Sequence, residues 1–124
     1  MTRRQRNTAV AVAGVALLAV AFWAQGQAAN RGQVREISVT GDNFAFSPAR
    51  IEVQKDDLVQ IKFTAKDVAH SFTIDVPYRI SKRAGGGQTV VFEFRADEPG
   101  RFRYYCNLTQ DDRCRKMAGE LVVR

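Results

Sequence analysis

Histidine occurs once in this 124-residue chain, at position 70. Cysteine occurs twice, at 106 and 114, and methionine once beyond the initiator, at 117. A single histidine leaves no Ser-His-Asp arrangement to locate. Two cysteines are too few for a disulfide-dense scaffold. Past residue 30 no ten-residue window keeps a helical period, so a bundle of helices is excluded. A surplus of charge suited to nucleic acid is also missing. Three of the nineteen basic residues (Arg3, Arg4 and Arg6) stand at the front, and the remaining sixteen face thirteen acids. That is a mildly basic, mixed surface. The chain shows no internal repeat, no low-complexity tract and no second domain.

What is present begins with an apolar run. Residues 8–24 carry no charge and are followed by small residues at Ala24, Gly26, Ala28 and Ala29. Two readings fit residues 1–29, a secretory signal peptide cleaved near Gly26-Gln27-Ala28 or an uncleaved N-terminal hydrophobic helix. A run of about 17 residues is at the lower limit for crossing roughly 30 Å of hydrocarbon. Both readings leave the arginines inside and send the rest out. The expected location is periplasmic or otherwise extracytoplasmic, with residues 8–24 anchoring the chain to the inner membrane in the second case. Residues 30–33 read as a linker and 34–124 as one domain.

That domain alternates with period two. Ile37 and Val39 mark one strand, Ile51 and Val53 another, and Val59, Ile61 and Phe63 a third. Val68, His70, Phe72, Ile74 and Val76 share a face of the next. Residues 78–84 read as irregular, and Gly85-Gly86-Gly87 as a hairpin connection. Val90, Phe92 and Phe94 form one further face, and Phe102, Tyr104 and Cys106 the next. Residues 120–124 close the chain. About seven or eight short strands separated by turn residues predict an all-β, antiparallel sandwich or barrel.

The chemistry gathers at the end. Both cysteines and Met117 sit on one loop between two strands, and His70 lies on an earlier strand. A His, two Cys and a Met are ligands that copper takes. The same residues admit a plainer reading. His70 would be a core histidine, and Cys106 and Cys114 would form a disulfide, stabilising the fold by roughly 2.5 kcal/mol. A Cys nucleophile beside His70 lacks an Asn or Asp at a suggestive place to orient the imidazole. Asp111 and Asp112 read as turn residues. No enzyme is expected.

Residues 34–124 resemble the cupredoxins, with a Greek-key β-sandwich or barrel as the implied fold. The resemblance rests on Phe46-Ser47-Pro48, the Ile51 to Asp57 segment, His70-Ser71-Phe72, the Glu98 to Cys106 run and the Met117 to Val123 run. It is similar in particular to the copper domain of cytochrome c oxidase subunit II. The dinuclear loop there reads Cys-x3-Cys-x3-His-x2-Met. Here Cys106 and Met117 keep their places, while Gln110 stands for the second Cys and Cys114 for the His. A dinuclear centre is thereby ruled out, and so is a normal blue site, which needs two His.

The resemblance implies a single copper ion, with His70 as imidazole ligand, Cys106 as principal thiolate, Cys114 in place of the loop His and Met117 as weak axial ligand. The second thiolate favours Cu(I). The expected function is electron transfer or copper handling by an exported monomer, with a redox or copper-donor protein as partner and the membrane reached through the N-terminal segment. The alternative is a metal-free accessory module with a Cys106–Cys114 disulfide.

Overall fold

The computed structural model describes residues 32–124; the segment read as signal or anchor, and the first part of the linker, lie outside the described residues. Nine strands follow one another: β1 (Val34–Asp42), β2 (Ala45–Ser47), β3 (Arg50–Val53), β4 (Leu58–Ala65), β5 (His70–Ile74), β6 (Ile80–Ala84), β7 (Thr89–Arg95), β8 (Gly100–Tyr105) and β9 (Ala118–Val123). A short 3-10 helix, Asp112–Lys116, precedes β9. One sheet has the order β2-β1-β4-β7 and the other β3-β9-β8-β5-β6. The all-β, cupredoxin-like class is as expected.

Four details depart from the sequence reading. The strands number nine, because residues 80–84 pair with β5 as an edge strand. Only Ile80 and Ala84 of β6 turn inward, and Ser81, Lys82 and Arg83 are exposed, so the strand carries almost no apolar signal. The triple glycine is not a hairpin: it carries the chain from β6 in one sheet to β7 in the other. Gly87 there has φ 76°, and its N–H donates to the Ala65 carbonyl at 2.7 Å. Two pairings, β1 with β4 and β3 with β9, are parallel. Their strands are joined by passages through the other sheet, which a local turn signal does not reveal. Finally, Val68 and Val76 lie beyond the ends of β5 and are exposed, while every residue of β5 is buried. An inner strand covered on both faces loses its alternation.

The core lies between the sheets. Val59, Ile61 and Phe63 of β4 point into it, as their spacing requires. Phe72 of β5 stacks on Tyr104 of β8 at 4.9 Å between centroids, and Phe46 meets Tyr104 edge-on at 5.1 Å. The Tyr104 hydroxyl donates to the Pro48 carbonyl at 2.7 Å, so this buried phenol is satisfied. Burial pushes its pKa up. On β9, Gly119 is required by this packing, because a Cβ there would enter the Tyr104 ring.

Candidate metal centre

His70 opens β5, Cys106 directly follows β8, Cys114 lies in the 3-10 helix and Met117 directly precedes β9. The loop between β8 and β9 is closed at its base by the Cys106 N–H, which donates to the Met117 carbonyl at 3.2 Å. Asp111 caps the helix, its carboxylate accepting from the Arg113 N–H at 2.9 Å, in line with the turn role read from sequence. The Arg113 side chain first, and then its N–H, hold the Asp111 carboxyl at about 2. A second clamp joins the two strands beside the site. The Asn107 N–H donates to Ser71 Oγ at 2.8 Å, and Ser71 Oγ donates back to Asn107 Oδ1 at 2.7 Å. Ser71 follows His70 and Asn107 follows Cys106, so this reciprocal pair fixes the histidine against the cysteine.

These elements bring the four sequence-named residues together. Ligand atoms of His70, Cys106 and Cys114 all lie within 4.8 Å of one another, and all three residues are buried. Met117 is equally buried. Its position is defined by Gly41 of β1, where a Cβ would sit 3.0 Å from Met117 Cε and 3.1 Å from His70 Cδ2. Cys106 and Cys114 are joined as a disulfide, with their Cα atoms 5.2 Å apart. The plainer reading of the cysteines is therefore realised here. Gln110, at the place of the dinuclear loop's second Cys, is exposed.

The imidazole is the telling group. His70 is fully buried. Its Nε2 lies 2.7 Å from Asp67 Oδ1, while its Nδ1 is buried without a hydrogen-bond partner. The Val68 N–H first, then His70 and the Asn43 and Asp67 N–H groups, outweigh desolvation and hold the Asp67 carboxyl at about 2. An ionised carboxylate only accepts, so Nε2 is the donor to Asp67 and Nδ1 is the ring nitrogen left open. A metal-ligating histidine is oriented in this way. Left without a partner, such a nitrogen costs about 1–3 kcal/mol. An imidazole, two cysteine sulfurs and a thioether make a donor set that fits a soft metal.

Asp67 is the residue the sequence reading missed. That reading found no Asn or Asp placed to orient His70, yet Asp67 sits three positions earlier and does so. The signal was hidden in a turn, where Asp is ordinary. Phe44 was missed too. It and Asn43 have φ of 58° and 49°, the paired left-handed geometry of a tight hairpin turn between β1 and β2. The turn sets the Phe44 ring edge-on to His70 at 5.3 Å, and the Arg113 guanidinium covers Phe44 at 4.1 Å. Phe44, Asp67, Val68, Leu108 and Arg113 line a cleft of about 440 Å³ that reaches Cys114.

Two facing sheets with a histidine, two sulfurs and a thioether buried at one end define a cupredoxin-type protein. The chain belongs to that family: residues 14–123 match the cupredoxin-like domain. No curated protein sequence matches it. Among solved structures it is similar to a chain of a heme-copper terminal oxidase dimer (TM-score 0.64, 20% identity over 74% of this chain), and it spans 65% of that chain. It is similar also to auracyanin A, a blue copper protein of Chloroflexus aurantiacus (0.64, 21%, covering 73% of this chain and 99% of that one). A third is the periplasmic domain of subunit II of cytochrome oxidase of Bradyrhizobium japonicum (0.63, 16%, 72% and 83%). At such identities the likeness is one of fold.

Proposed function

We propose that this is an extracytoplasmic cupredoxin that holds one copper ion as Cu(I) when Cys106 and Cys114 are thiols, and that it serves copper handling or electron transfer, not catalysis. The carrying observation is that His70, grouped with the two cysteines, keeps a buried Nδ1 without a partner. His70, Cys106, Cys114 and Met117 are the residues that would hold the ion, and copper when bound supplies a one-electron couple. Asp67 keeps the histidine proton on Nε2, the Ser71–Asn107 pair keeps His70 against Cys106, and Phe44 shields the imidazole from water. Opening the disulfide takes two electrons and two protons from a thiol reductant. A redox or copper-donor protein would be the partner, and residues 8–24 would hold the chain at the membrane.

The test is an anaerobic Cu(I) titration of the reduced full chain against a competing chelator. One ion per chain retained through desalting is expected, and no retention sinks the proposal. The disulfide favours a second reading, a metal-free accessory module that acts by protein contact. Mass spectrometry of untreated protein separates the two, since free thiols at both positions exclude the module. A Cys114→His variant that turns blue with Cu(II) would show that the rest of the site accepts copper.

A further inference from the structure

A second opening reaches Cys106. Arg103, Tyr105, Cys106, Asn107, Thr109 and Arg115 line most of a cleft of about 300 Å³. No acidic residue lines it. The outward strip of β8 is Arg101, Arg103 and Tyr105, and the first of these is matched: Arg101 reaches Glu120 at 3.2 Å. Arg103 is not. Glu120 stands opposite it in the β8–β9 register, yet pairs with Arg101 and, at 3.9 Å, with Arg50. Asp75 accepts from the Tyr105 hydroxyl at 2.7 Å. Among the described residues neither Arg103 nor Arg115 forms an ion pair.

The cleft is nonetheless ordered. The Arg103 guanidinium lies over the Tyr105 ring at 5.0 Å, and its Nη2 donates to the Arg115 carbonyl at 3.3 Å. Stacking holds the planar fork without neutralising it, which leaves donors free for a carboxylate. The opening at Cys114 differs: Arg113 there is bound to Asp111 at 2.7 Å, and Asp67 adds a second carboxylate.

We infer that the Arg103–Arg115 cleft is a docking site for an acidic protein surface, which places carboxylates of the partner against the Cys106 side of the metal centre. This rests on the proposed copper function for its purpose and not for its test, because the cleft exists with the disulfide formed. Two cations kept together beside Cys106, with Glu120 engaged by Arg101 and Arg50 and Asp75 by Tyr105, present a field that attracts and orients an anionic partner.

The experiment is an amide NMR titration of the metal-free, disulfide-bonded full chain with hexaglutamate. Saturable shifts confined to Arg103, Tyr105, Cys106, Asn107, Thr109 and Arg115 are expected, weakening as salt rises from about 20 to about 200 mM. The Arg103→Gln/Arg115→Gln variant should bind at least about fivefold more weakly, while Lys62→Gln on the other sheet should bind as the parent does. Three results overturn the inference: shifts spread over Lys55, Lys62 and Lys66; unchanged affinity in the double variant; or inorganic phosphate binding the cleft as tightly as the peptide. Stronger binding to phosphatidylglycerol vesicles than to the peptide, abolished in the same variant, would instead make the cleft a lipid contact and overturn it too. Failure of copper to bind would leave every one of these results unaffected.

Discussion

The same two strands build two very different places a few ångströms apart. At Phe72 and Tyr104, β5 and β8 make an aromatic stack whose one polar atom, the Tyr104 hydroxyl, is given to the Pro48 carbonyl. One step toward the ends of those strands, His70 and Cys106 are just as buried, yet the imidazole keeps one nitrogen without a partner. Burial is equal and hydrogen-bond closure is not. The first place is finished by the fold alone, and the second leaves one buried nitrogen open.

The sharpest break of this comparison lies in the core. Tyr104→Ala should cost about 3–5 kcal/mol, read as a lowered urea midpoint. His70→Leu should cost less than about 1.5 kcal/mol, because it removes an unsatisfied nitrogen along with the bond to Asp67. The same change should abolish Cu(I) retention. Equal stability losses for the two variants would remove the distinction between them.

Gly41 tests how tightly the open place is fitted. Gly41→Ala puts a methyl against Met117 Cε and the His70 ring, so a stability cost of about 1–3 kcal/mol is expected from overpacking. Cu(I) affinity should fall with it, measured by chelator competition. Asp67→Asn probes the tautomer instead. It keeps an acceptor but loses the charge, and Cu(I) affinity should drop about 10–100-fold. Imidazole nitrogen shifts of metal-free protein should then show His70 no longer held with the proton on Nε2; unchanged shifts would contradict the assigned role.

The smallest effect is expected on the loop. The Asp111 carboxyl is lowered when folded, so its contribution is present above an unfolded pKa near roughly 3.9 and lost as pH falls through about 2. Parent and Asp111→Asn should therefore differ in melting temperature at pH 5 and converge toward pH 2. A difference that persists at pH 2 would mean that the carboxylate charge is not what caps the helix.

Strands such as β4 were legible because Val59, Ile61 and Phe63 alternate with polar residues over a half-covered face. β6 was not, since a short edge strand needs only two inward residues. The parallel pairs were not legible either, because register between residues 34 and 58 is set by the whole sandwich. At the site, His70, Cys106, Cys114 and Met117 could be named from residue type and spacing. Asp67 and Ser71 could not, because their roles depend on which atoms the folded strands bring within 3 Å, and Asp and Ser are common turn and strand residues.

The place of β9 has a consequence for how the domain is made. All four strands of the first sheet exist once residue 95 is available, but β9 lies between β3 and β8 in the second. Until residues 118–123 arrive, β3 has no neighbour in its sheet. By residue 105 the other three strands of that sheet are present too, and Phe72 of β5 can meet Phe63 and Phe92, while Ile51 and Val53 of β3 wait for β9. The sandwich stays open along this edge until residues 118–123 pair, and during that interval Ile51 and Val53 are exposed to aggregation. The loop that carries Cys106, Cys114 and Met117 is closed by the same strand.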